Sequence, residues 1–167
     1  MKIKAYAKIN LMLDILGTLP NGYHNLWMIM QSVSLYDTVT VEKTDSGEIT
    51  LSCSVEGIPL DEKNIAHKAA VAFFKETGIE NNGVHIHIEK SIPSEAGLAG
   101  GSADGAAVIK ALNEIFSAKL NDRQMCRIGK KIGADVPFCI MGGTCLAQNI
   151  GDVLSPLEDI PCCYFVL

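Results

Sequence analysis

The sequence predicts an α+β domain, and three observations carry that reading. The first part alternates apolar and polar residues with period two. The second part holds apolar residues at helical spacing. Glycine-rich turns separate the segments in no regular strand–helix repeat. At 167 residues, 48% hydrophobic and 20% charged, the chain suits one domain with a core of its own.

Ile3, Ala5, Ala7, Ile9, Leu11, Leu13 and Ile15 alternate with Lys4, Tyr6, Lys8, Asn10, Met12 and Asp14. That pattern predicts a half-buried strand with Lys8 and Asn10 on one face, opposite the core. Pro20-Asn21-Gly22 signals a turn, with Tyr23 and His24 directly after it. Leu26 to Tyr36 is apolar and fits a strand or a short helix, and Thr38 to Glu42 reads as a strand. Asp45-Ser46-Gly47 reads as a hairpin turn, followed by alternation at Ile49, Leu51, Cys53 and Val55. Asn64 is placed to cap a helix running to Thr77, with Gly78 as its stop. Val84, Ile86 and Ile88 give another strand, leading to Ile92-Pro93.

A glycine-rich stretch follows, then a helix with Val108, Ala111, Leu112 and Ile115 on one side. Asn121 with Gln124 resembles a capping box for a further helix ended by Gly133. Gly142-Gly143 separates Val136–Met141 from a last strand at Thr144–Ala147.

Composition excludes some functions. The net charge is −5 and Lys and Arg form no cluster, so nucleic acid is not an expected partner. The six cysteines contain no C-x-x-C pair, which argues against a zinc site and for reduced, mostly buried thiols. His85 and His87 share a strand face, but two ligands without a third are weak evidence for metal. Lys130-Lys131 reads as a solvated helix end, and Phe73-Phe74 and Met28–Met30 as core. Neither a signal peptide nor a membrane span is visible, so the expected compartment is the cytoplasm and no membrane is an expected partner. The apolar run Tyr164-Phe165-Val166-Leu167 after Pro161 reads as the start of a buried strand, which predicts a truncated chain.

Pro93-Ser94-Glu95-Ala96-Gly97-Leu98-Ala99-Gly100-Gly101-Ser102-Ala103-Asp104 carries the most chemistry. It joins a strand to a helix. The first amides of a helix lack partners and sit at its positive end, and glycine lets the backbone wrap an anion. A phosphate there needs no basic side chain. Ser102 is placed to cap the helix or to meet a phosphate oxygen. The stretch has neither the G-x-x-x-x-G-K-[ST] nor the G-x-G-x-x-G spacing, so the Walker loop and the dinucleotide fingerprint both fail.

Pro93 through Ala107 resembles the phosphate-binding motif of the GHMP kinases. Ala7-Lys8-Ile9-Asn10-Leu11, Gly22-Tyr23-His24 and Gly133-Ala134-Asp135-Val136-Pro137-Phe138 resemble three other family segments, in the expected order. Departures are Ala103 for a second serine, Gly105 for alanine and Gln148-Asn149 for an acid-glycine pair. The resemblance implies the family's N-terminal domain over residues 1–167, the ribosomal protein S5 domain 2-like fold. That fold has a β-sheet with helices on one face and a left-handed βαβ unit. The family's second domain would begin at about 162–167.

The resemblance also implies ATP with Mg²⁺, and a cytidine diphosphate-linked methylerythritol as the small-molecule acceptor, phosphorylated on its 2-hydroxyl in the non-mevalonate route to isoprenoid precursors. It casts Pro93, Ser94, Glu95, Ala96, Gly97, Leu98, Ala99, Gly100, Gly101, Ser102 and Ala103, with Asn64, as the ATP site. Asp135 becomes the general base and Lys8 its neighbour at the γ-phosphate. Asn10, Tyr23 and His24 become acceptor contacts, with Tyr23 stacking on the cytosine. Two alternatives stay open: another GHMP small-molecule kinase acting on homoserine, mevalonate or a sugar, and an inactive nucleotide-binding fragment.

Overall fold

The computed structural model describes residues 1–20 and 22–166. Two long strands dominate, β1 (Lys2–Thr18) and β2 (His24–Lys43), paired antiparallel along nearly their whole length. The ambiguous stretch Leu26 to Tyr36 is strand throughout: β1 pairs with it on one edge, and β5 (Thr144–Asn149) flanks Leu26–Gln31 on the other. Of the predicted Pro20-Asn21-Gly22 turn, Asn21 lies outside the described residues. Gly22 beside it has φ +84°, the conformation glycine adopts without a Cβ penalty.

The expected hairpin at Asp45-Ser46-Gly47 does not form. The chain turns there, but β3 (Ile49–Cys53) pairs in parallel with β4 (Val84–Glu89), and β4 lies antiparallel to β2. β4 is thus inserted between two strands adjacent in sequence. The parallel β3–β4 pair is joined through α1 (Ile65–Thr77), since parallel neighbours need a crossover. Val55, expected to continue β3, lies outside it.

Asn64 caps α1, its Oδ1 accepting the Ala66 amide at 2.8 Å, and Gly78 ends it at φ +68°. α2 (Gly100–Ile115) and α3 (Asp122–Lys130) follow, the latter with the full Asn121–Gln124 capping box. Val136–Met141 is a short helix, α4. The last strand, β6 (Val153–Pro156), pairs with β5; nothing in its apolar pattern singled it out.

Ala5, Ala7, Val39, Val41, Val84, Ile86 and Ile88 point from one sheet face into a core shared with α1 and α2. Their alternates on the other face, among them Tyr6, Thr38, Thr40, His85 and His87, lie outside the core. Met30 and Phe138 anchor a second, smaller core beneath β5.

Alternation in β1 holds only up to Ala7. Register shifts follow Tyr6, Asn10 and Ile15, and Leu11, Leu13 and Ile15, expected in the core, are exposed. Residues 162–166, read as an incipient strand, form no strand here, and Leu167 lies outside the described residues. Among the described residues no helix is long and apolar enough to cross a membrane.

Candidate functional site

The strand–helix junction opens into a cleft of about 480 Å³. Pro93 to Ser102 form one wall, Asn64 and Ile65 at the start of α1 another, and Lys8 and Asp135 lie at one side. Ala99, the N-cap of α2, adopts a left-handed conformation (φ +58°) and offers no side-chain cap. Ser102, considered as a cap, lies inside the first turn instead. The leading amides of α2 are therefore left to whatever anion occupies the cleft. Gly97 (φ +73°) and Glu95 (φ +58°) bend the backbone before them.

Lys8 corrects the reading of β1. It was placed on the face opposite the core, yet it is 6% exposed and turned into the cleft. The register shift after Tyr6 interrupts the alternation, and the Lys8 amide donates to the Leu98 carbonyl at 3.1 Å, tying β1 to the glycine loop. Its Nζ lies 3.7 Å from Asp135 Oδ2 and donates to Asn10 Oδ1 at 3.3 Å. Asp135 sits at the N-cap of α4 with a third of its side chain open to solvent. Cys139, one turn along α4, is no rival nucleophile: burial, then the neighbouring Asp135, pushes its thiol up to about 12.

The other predicted residues divide. Asn64 lines the cleft, but its amide is already engaged, accepting from Ala66 and donating to the Pro59 carbonyl at 2.7 Å. Ala103 is buried in the core rather than facing the cleft, because its place on α2 turns it toward the sheet. Tyr23 and His24 are not brought to the cleft; they lie at the exposed tip of the β1–β2 ribbon.

His85 and His87 hydrogen-bond to Thr50 and Ser52 on β3. Among the described residues no three His, Cys, Asp or Glu side chains gather as a metal cluster. Lys130 and Lys131 pair with Asp152 and Glu76. Cys162 and Cys163, expected among mostly buried thiols, are exposed.

Sequence reasoning missed a buried charge cluster beside the glycine loop, with Lys90 and Asp104 lining the cleft and Asp37 behind them. Asp37 of β2, fully buried, accepts the Lys90 ammonium together with the amides of Ser91 (2.5 Å) and Ile92 (2.8 Å). Lys90 also donates to Asp104 Oδ2 at 2.9 Å. Asp104 Oδ1 has no hydrogen-bond partner. Burial pushes the Asp104 carboxyl up to about 7, against the opposing pull of Lys90. A lone Asp inside the apolar run of β2 and a lone Lys just before Ile92-Pro93 were the available signals.

The GHMP kinases N terminal domain family matches residues 64–143, the stretch from the α1 cap through the glycine loop to Asp135 and α4. The chain belongs to the GHMP kinases, with the mixed α+β fold of their N-terminal domain. Within that family it is 52% identical to the 4-diphosphocytidyl-2-C-methyl-D-erythritol kinase of Caldicellulosiruptor bescii, over 96% of this chain and 56% of that protein. It is 51% identical to the kinase of the same name from Clostridium tetani, over 100% of this chain and 59% of that protein.

The crystal structure of a 4-(cytidine 5'-diphospho)-2C-methyl-D-erythritol kinase superposes with a TM-score of 0.80 at 35% identity, covering 94% of this chain and 55% of that one. A mevalonate kinase shares the fold alone, at 17% identity and a TM-score of 0.74, over 95% of this chain and 56% of that one. The chain spans about half the length of the curated relatives it matches.

Proposed function

We propose that this chain is the ATP-binding domain, over residues 1–167, of a kinase that phosphorylates the 2-hydroxyl of 4-diphosphocytidyl-2-C-methyl-D-erythritol. The product is an intermediate of the non-mevalonate isoprenoid route. One observation carries the reading: an ammonium and a carboxylate from distant segments meet 3.7 Å apart beside an uncapped helix N-terminus.

The triphosphate lies along Gly97–Ser102, its oxygens taking the leading amides of α2. Asp135 accepts the proton of the acceptor hydroxyl as that oxygen bonds to the γ-phosphorus, and ADP leaves with the bond it breaks. Lys8 faces the transferred group and offsets its charge in the transition state. Mg²⁺ bound with nucleotide phosphates needs only one or two protein oxygens. The open carboxylate of Glu95 on the cleft fits that demand, and the ion would supply further charge neutralisation at the phosphates. Asn10, beside Lys8, contacts the acceptor, and Tyr23 and His24 take its cytosine at the ribbon tip.

A phosphorylation panel tests the proposal: the cytidylylated acceptor, mevalonate, homoserine and a hexose, each with ATP. Transfer to the first alone supports it. Transfer to another acceptor in preference assigns the chain elsewhere in the family.

A further inference from the structure

The glycine loop is held by charges to which the reaction above gives no role: Lys90 and Asp104, which line the cleft, and Asp37 behind them. Asp37 is outside the cleft, yet it bonds the two amides, Ser91 and Ile92, that lead into Pro93. Ile92 in turn packs under Gly100: a Cβ built there would stand 3.1 Å from Ile92 Cγ2 and 3.2 Å from Lys90 Nζ. Lys90 joins Asp37 to Asp104, which belongs to the second turn of α2. Both ends of the loop, the strand exit at 90–92 and the start of α2, are thereby bonded to one ammonium.

Taking two carboxylates and an ammonium out of water is costly, and well-packed apolar residues of similar size would often stabilise as much. Stability alone is therefore a poor account of the cluster. Directional bonds do what apolar contacts cannot, which is to fix the distance between two chain segments.

We propose that Asp37, Lys90 and Asp104 form the positioning unit of the glycine loop: they set the separation of its two ends, and with it the aim of the leading α2 amides. The unit rests on the reading that this loop holds the triphosphate, but its effect on the loop is measurable without ligand. Asp37 and Asp104 are positioning residues here, acting through backbone and through Lys90.

Asp37→Asn removes one acceptor and places an amide N–H₂ against Lys90. Asp37→Asn with Lys90→Gln restores a neutral hydrogen-bonded pair. Amide hydrogen exchange of the free protein, at a temperature where circular dichroism is native, reads the loop directly. In Asp37→Asn, exchange at 103–106, the first hydrogen-bonded amides of α2, rises by roughly tenfold or more relative to the β1–β2 amides, and the double variant reverses most of it. In the same pair ATP affinity, by calorimetry, falls roughly tenfold and recovers.

Uniformly faster exchange across the sheet and α2, or an unchanged 103–106 in a folded Asp37→Asn protein, overturns the proposal. If Asp37→Asn does not fold, Asp104→Asn decides, since it leaves the Asp37 clamp intact. It must loosen 103–106 while sparing the amides of Ser91 and Ile92, and an unchanged 103–106 overturns the proposal. Absence of ATP binding by the wild-type chain defeats the functional reading and leaves the exchange result to judge the positioning unit.

Discussion

Lys8 Nζ stands 3.7 Å from Asp135 Oδ2, one residue from the first strand and one from the start of the fourth helix. The Lys8 amide bond to Leu98 places that pair against the glycine loop. Replacing Asp135 by Asn keeps the shape and removes the proton acceptor. Phosphoryl transfer to the cytidylylated acceptor is expected to fall by ~10²–10⁴, with ATP affinity by calorimetry held within about twofold. Turnover at the wild-type rate would remove Asp135 from the base role.

Gly105 shows a constraint hidden from the sequence. It stands where relatives of this motif carry alanine, and on helix propensity alone Gly105→Ala should stabilise by about 1 kcal/mol. A Cβ there would lie 2.7 Å from Ile65 Cγ2, on the neighbouring helix. Overpacking of that kind costs about 1–3 kcal/mol. Gly105→Ala is therefore expected to lower the midpoint of urea unfolding, and adding Ile65→Ala is expected to give part of the loss back. A rise in midpoint for the single variant would show that α1 and α2 can part at no cost.

Asp104 makes stability depend on pH in an unusual direction. Its carboxyl is raised to about 7 in the folded chain, against about 3.9 when unfolded. Between those values the folded state binds more protons than the unfolded one, so stability falls as pH rises through this window. Below about pH 4 both states are protonated and the difference vanishes. Lys90 and Asp37 are the charged groups that face it. Thermal unfolding from pH 4.5 to 8 should show a decline that is flatter in Asp104→Asn. Equal slopes in the two proteins would contradict the assignment.

The Asn64 cap separates a structural role from a binding role. Asn64→Ala should cost about 1 kcal/mol of stability through the lost cap. Asn64→Asp keeps the acceptor for Ala66 but loses the donor to Pro59. If Asn64 also reads the nucleotide, ATP affinity will fall in Asn64→Asp by more than stability does. Matched affinity to wild type in that variant leaves capping as its whole role.

Much of this fold was legible in local chemistry. Asn64, Gly78, Asn121 and Gln124 marked helix ends because caps act within a few residues. What was not legible was set by partners distant in the chain. The strand character of Leu26–Tyr36 depends on β1 pairing with it and on β5 flanking Leu26–Gln31, and the loss of the Asp45–Gly47 hairpin depends on β4 inserting between β2 and β3. The face on which Lys8 lies turns on a register shift, which period-two counting cannot see. The glycine loop and Asp135 were found by motif. Asp37 and Lys90 were not, since a single charge in an apolar strand discloses a buried partner only once the strands are assembled.

Titration of ¹⁵N-labelled protein with ATP and Mg²⁺, followed by amide chemical shifts, tests the account at its centre. The largest changes are expected at Gly97 to Ser102, with Lys8 beside them, saturating together at one dissociation constant. Changes confined to other surfaces, such as the groove beside His67 and Lys131, or no saturable change at the loop, would contradict it.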